Sequence, residues 1–216
     1  MRAIYTKSLK DVFSKEVLFF VVKIGMSSIL ISISSIWYFW GTLSSFIASY
    51  LSWIPWEWLQ TTGAKIITFS LSYMIFIVVL SLLTSLYSEK LLIKLAKKHY
   101  PTVEVVGSVD MFTSLTSTLK ASSIFLLLFI LCIPLLFIPI LGQVIMLYLW
   151  AILIKEPTTY DVGSLFIGDK QQLKDKTKKT TLLAMVASAF NYIPLLNIFA
   201  PVFAQILFLH HVLGKK

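Results

Sequence analysis

The sequence predicts an all-α integral membrane protein with two long transmembrane helices and two re-entrant, partly penetrating helical hairpins. Three observations carry this. Hydrophobic residues make up 57% of the 216, charged residues only 13%, and the mean hydropathy is +0.85; soluble domains lie nearer half apolar and a quarter charged. The apolar residues fall into four runs, 17–40, 66–87, 121–154 and 182–213, each long enough to meet a bilayer. The last two runs carry nearly the same proline-punctuated phrase at mid-length, "IPLLFIPILGQ" at 133–143 and "IPLLNIFAPVFAQ" at 193–205.

The elements follow in order. Ile4, Ser8, Leu9, Val12 and Phe13 recur at helical spacing among lysines, so 1–16 reads as an amphipathic helix at the membrane interface. The next run is too long for a signal h-region and is expected to be retained. Long helices are expected over 17–40 and 64–100. The second of these continues through "SEKLLIKLAKK" until Pro101 stops it. "WYFW" at 37–40 and "WIPWEW" at 53–58 place aromatic anchors at the outer boundary.

Hairpins are expected over 121–154 and 182–213. A proline inside a helix removes a hydrogen bond and pushes its predecessor out of the helical region. Pro134, Pro139 and Gly142 therefore mark one bend, and Pro194, Asn197 and Pro201 another. Each arm then has roughly 12–15 residues and reaches about 20 Å, short of the hydrocarbon thickness. Asp169 with Gln172 predicts a cap on the lysine-rich helix that feeds the second hairpin.

Charge agrees with this layout. The net charge is +9, and the lysines lie between apolar runs rather than on one soluble face. Anionic lipid and membrane orientation account for them, with no nucleic-acid partner needed. Two crossings and two hairpins put every lysine-rich connection on one side, with both termini cytoplasmic.

Enzyme motifs are absent, and no cofactor or metal site is expected. His210 and His211 are adjacent on a helix and point about 100° apart, which makes them poor joint ligands. Cys132 lies alone in an apolar run and reads as packing. No Asp or Glu falls within the four runs, which argues against a carboxylate-driven cation carrier. Two matched interruptions in apolar segments point instead to a transport site. Helix N-termini beginning near Pro139 and Pro201 would favour anions. Gln143 and Gln205, each four residues beyond its proline, and Asn197 would line the bends. Packing wedges with internally satisfied ends are the alternative. Lys23 either snorkels to the interface or holds substrate.

"LYLWAILIKEPTTYDVGSLF", a basic helix, and "IPLLNIFAPVFAQILFLHHVL" resemble the etoposide-induced-protein family, which includes the bacterial CysZ-type sulfate permeases. "LYSEKLLIKL" at 86–95 also resembles the end of that family's second long helix. The likeness covers most of the chain in order and length and is most specific over 147–213. It implies two long helices and two partly penetrating hairpins, uptake of sulfate or a similar oxyanion for cysteine synthesis, an inner-membrane location and homo-oligomers. Family members carry arginines after a Gly-Leu near the first crossing, where sulfate is held. Here the stretch reads "DVFSKEVLFFVVK", so Ser14 and Lys15 stand at the point where an anion comes in. Lysine binds an anion without the planar fork of arginine, and Glu16 opposes it. A membrane scaffold or envelope protein whose lysine-rich cytoplasmic face binds partners is the other reading.

Overall fold

The computed structural model describes residues 2–52, 55–177, 180–193 and 196–214, with the side chains of 2, 3, 170, 174, 176 and 177 left aside. Pro194, Trp53, Lys178, Lys179, Lys215 and Lys216 lie outside the described residues. The described residues form helices joined by irregular connections, the longest at 100–110, and no strands: α1 (Arg2–Val12), α2 (Lys15–Tyr50), α3 (Glu57–Tyr87), α4 (Glu89–His99), α5 (Met111–Leu136), α6 (Leu141–Phe166), α7 (Lys170–Thr177), α8 (Thr180–Ser188), 3-10 turns at Ala189–Tyr192 and Leu196–Phe199, and α9 (Ala200–Leu213). Helices α2, α3 and α5 and the segment Leu196–Leu213 are each long and apolar enough to cross a membrane.

The first two long helices extend well past their apolar runs. At 36 residues α2 reaches about 54 Å. Gly41 weakens it by only about 1 kcal/mol, and the hydroxyls of Ser44 and Ser49 fold back onto the carbonyls of Gly41 and Phe46. The helix therefore continues to Tyr50, shortly before Pro55. Trp37, Tyr38, Trp56 and Trp58 are exposed near this end of α2 and α3, as boundary aromatics require. The helix expected over 64–100 is present in two pieces, α3 and α4. Ser88 joins them in helical conformation, its N–H reaching Thr84 and its carbonyl accepting from Leu92. The join bends the chain with little loss of backbone bonding, and α4 stops at His99, ahead of Pro101.

The 121–154 region is longer than its apolar run. Helices α5 and α6 have 26 residues each, because the polar flanks "MFTSLTSTLK" and "KEPTTYDVGSLF" are helical too. They bury Ser114, Thr118 and Asp161 in one hydrogen-bonded group with Ser85, and Thr158 is buried as well. Hydropathy counts such residues as loop; here they are core, satisfied by their neighbours. Pro134 sits in the last turn of α5, and the reversal spans 137–140. Ile140 takes a positive φ of 66°, strained for a β-branched side chain. Gly142 follows because a Cβ there would lie 2.3 Å from the Leu136 carbonyl oxygen. Leu131, Phe137, Ile140 and Leu141 are exposed at this tip.

Helix α9 is the structural axis. Residues 200–210 are all buried, packed by α1, α4, α8 and the end of α6 in one apolar cluster. A second cluster joins α3, α5 and α6 around Phe125, Phe129, Trp150 and Leu153. Helix α1 presents Ser8, Asp11 and Val12 inward, while Leu9 and Phe13 are exposed. It thus docks on α9 as well as offering an apolar edge outward. Asp169 caps α7, accepting from the Gln171 N–H at 2.8 Å, one residue short of the expected Gln172.

Gly142→Ala is expected to open the α5–α6 reversal and cost about 2 kcal/mol or more. Thermal unfolding of the detergent-solubilised protein, read by tryptophan fluorescence, checks this; an unchanged Tm would refute the crowding argument.

Candidate functional site

Two buried carboxylates organise the polar interior. Asp161, in the last third of α6, is 0% exposed. Ser85 from the end of α3 donates to Asp161 Oδ2 at 2.5 Å, and Ser114 from the first turn of α5 donates to Oδ1 at 2.8 Å. Gln205 from α9 donates through Nε2 to Oδ2 at 3.0 Å. Ser85 and Ser114 are 2.7 Å apart, and Thr118 donates to Ser85 at 3.3 Å. Four helices therefore meet on one carboxylate, and no ion pair to it is present among the described residues. The Gln205 carbonyl oxygen is buried without a partner.

The second cluster ties the chain's first and last helices together. Asp11 of α1 meets Nε2 of His99, from the end of α4, at 2.8 Å and Nε2 of His210, from α9, at 2.9 Å. Tyr100 Oη lies 3.0 Å from His210 Nδ1, and Lys98 Nζ approaches Asp11 Oδ1 at 3.7 Å. Burial pushes the Asp11 carboxyl up, but the hydrogen bonds from His210 and His99 outweigh it and hold the group below the usual carboxylate range.

Near this cluster, a groove of about 450 Å³ opens beside the N-terminus of α2, lined by Lys15, Glu16, Phe19, Phe20, Lys90 and Lys94. Ser14 is the N-cap residue of α2, but its side chain makes no cap bond, and its buried hydroxyl has no partner. Glu16, the residue that would oppose an anion, is engaged by Lys94 at 2.8 Å. Three lysines and one glutamate leave the groove positive. Lys23 is exposed two turns further along α2.

The bend residues separate. Gln143 is exposed, and its backbone carbonyl accepts from the Tyr192 hydroxyl. Pro139 lies exposed in the α5–α6 turn, ahead of the helix it was expected to start. Pro201 is buried in the first turn of α9. Asn197 is buried and donates to Tyr73 Oη on α3 at 2.7 Å. Gln205 faces Asp161. The repeated phrase thus yields two dissimilar places: an exposed tip, and a buried seat where the second segment locks against α3 and α6. Sequence reasoning missed Asp11, His99 with His210, and Asp161. Asp161 stands seven residues beyond the apolar run, and His210 is 199 positions from Asp11. A signal for Asp161 did exist, in the Ser/Thr-rich flanks that surround it.

A multi-pass helical membrane protein with a polar interior and a basic groove is the class these features define. The family described as sulfate transporter CysZ/etoposide-induced protein 2.4 matches residues 4–201, and the chain belongs to that family. It is a sulfate transporter-like membrane protein. Comparisons with curated proteins and with solved structures each returned no match.

Asp161→Ala would leave two hydroxyls and an amide without their shared acceptor. A loss of about 3–5 kcal/mol is expected, with Asp161→Asn less damaging because it keeps one acceptor oxygen. Thermal or denaturant unfolding in detergent ranks the two, and an alanine variant as stable as the parent would show that the carboxylate organises nothing.

Proposed function

We propose that this protein is an inner-membrane permease for a small inorganic oxyanion, most plainly sulfate, supplying sulfur for cysteine synthesis. The observation that carries the reading is the positive groove at the uncapped start of α2. It lies at the stretch where the family resemblance implies that the anion is held. Lys15 and Lys90 supply charge there, and the Lys94–Glu16 pair removes the opposing carboxylate. The first-turn amides and the dipole of a 36-residue helix add to the field.

In the membrane, α2 and α3 cross fully, while α5–α6 and α8–α9 enter and return. The apolar parts of the first hairpin, 121–136 and 141–154, reach roughly 21–24 Å, less than the hydrocarbon thickness of about 30 Å. The lysine-rich connections then share the cytoplasmic face with both termini and meet anionic lipid there. Asn197 and Gln205 line the inner part of the path, with Pro139, Gln143 and Pro201 at the bends. The extensive exposed apolar surface of a single chain suits a homo-oligomer as well as lipid.

Radiolabelled sulfate uptake into proteoliposomes tests the function. Lys15→Gln with Lys90→Gln is expected to lower uptake at limiting sulfate about tenfold, at roughly 0.5–1 kcal/mol per exposed charge. No saturable uptake by folded, inserted protein would remove the transport reading and leave the lysine-rich face as a scaffold. Topology is tested with Cys132→Ala protein carrying single cysteines at Lys97, Gln171 or Trp56. Impermeant reagent should reach the first two from one side and the third from the other; opposite sides for Lys97 and Gln171 would overturn the hairpin arrangement.

A further inference from the structure

We infer that Asp11, His99 and His210 form a binding site for a divalent transition metal of the zinc class, independent of the anion groove. The three side chains come from α1, the end of α4 and α9, separated by 88 and 199 positions from Asp11. Their ligand atoms all lie within 4.8 Å of one another. Nε2 of His210 lies 2.9 Å from Asp11 Oδ2, and Nε2 of His99 lies against both carboxylate oxygens, 2.8 Å from Oδ2 and 2.9 Å from Oδ1. The rings stand nearly perpendicular, 78° apart with centroids 5.1 Å apart, so the two nitrogens approach a common point from different directions. Ligand atoms about 2.0–2.1 Å from a tetrahedral ion stand roughly 3.3 Å apart, so the carboxylate and each imidazole would part by about half an ångström to admit one.

The surroundings match a metal site in three further respects. Tyr100 Oη holds His210 Nδ1, which fixes that ring with Nε2 inward, the role outer partners play for ligating histidines. Asp11 and His210 are buried, while His99 keeps 22% of its side chain exposed and gives an ion a way in. Each residue offers one ligand atom, a carboxylate oxygen from Asp11 and a ring nitrogen from each histidine. Two imidazoles and one carboxylate select zinc and its first-row neighbours over magnesium or calcium, which prefer oxygen alone. Three protein ligands leave a fourth position for water.

Lys98 bears on the same carboxylate from 3.7 Å. Its side chain is half exposed and is free to swing into solvent, but its charge competes with the incoming ion. The site therefore makes a specific demand: removing that charge must strengthen metal binding. A simple hydrogen-bonded pin between α1 and α9 has no such dependence. An ion there would also clamp the first helix of the chain to the last.

Tag-free, chelator-treated protein in detergent, titrated with Zn²⁺ by calorimetry and with Co²⁺ by visible absorption, tests the inference. One Zn²⁺ per chain, a raised Tm and Co²⁺ bands of four-coordinate character are expected. Lys98→Gln should tighten Zn²⁺ several-fold. Asp11→Asn and His99→Ala, the latter at a partly exposed position, should each weaken it at least tenfold, whereas His211→Ala should not change it. His210→Ala risks misfolding and is not needed. No stoichiometric Zn²⁺ on the parent protein overturns the site, as does binding that survives both Asp11→Asn and His99→Ala, or binding indifferent to Lys98→Gln.

Discussion

Burying a carboxylate is costly unless donors meet it on every side, and this fold is built around one such meeting. Asp161 is removed from solvent and receives hydrogen bonds from α3, α5 and α9. Two of the donors sit near a helix end, Ser85 at the close of α3 and Ser114 at the opening of α5, while Gln205 lies in the middle of α9. The bonds therefore fix where those helices may stop and start. Shifting any one of them along its axis by a residue would rotate its donor away by about 100°. The apolar clusters on either side tolerate small slides, since dispersion has no direction. The directional polar centre supplies register, and the apolar packing supplies most of the free energy.

The same division explains why α9 can be both apolar and central. A helix buried on nearly all sides has no face to give to water or lipid, and its residues from 200 to 210 are covered by protein. Its two polar side chains in that span, Gln205 and His210, each reach a carboxylate from another helix. The middle of this axis is thus tied to α6 and its C-terminal end to α1. The α1 anchor stands three residues before Ser14, so the position of the positive groove depends on the Asp11 cluster through a short, stiff connection.

Much of this was legible in the sequence. Hydropathy located the apolar stretches of α2 and α3, the prolines marked the reversal at 137–140, Pro101 marked the end of α4, and Asp169 marked the start of α7. The family match over residues 4–201 agrees with the resemblance that residues 147–213 carry most specifically, and it was that resemblance that pointed to Ser14 and Lys15. The polar flanks were harder to read. "MFTSLTSTLK" and "KEPTTYDVGSLF" look like connections when each residue is scored alone, because whether a serine is core depends on the donor or acceptor opposite it. The twin phrases looked equivalent for the converse reason. Their apolar patterns match, but one tip faces outward while the other docks Asn197 on Tyr73.

Composition and periodicity by themselves determined that this chain is helical, membrane-embedded and basic on its connections, because those properties follow from local sums over hydropathy, charge and helix-breaking residues. Only the tertiary structure decided which polar residues matter. Asp11 with His99 and His210, and Asp161 with Ser85, Ser114 and Gln205, are pairings across dozens to hundreds of positions. A hydrogen bond or a metal site is defined by distances of about 2–3 Å between atoms, and no local property of a sequence specifies such a distance.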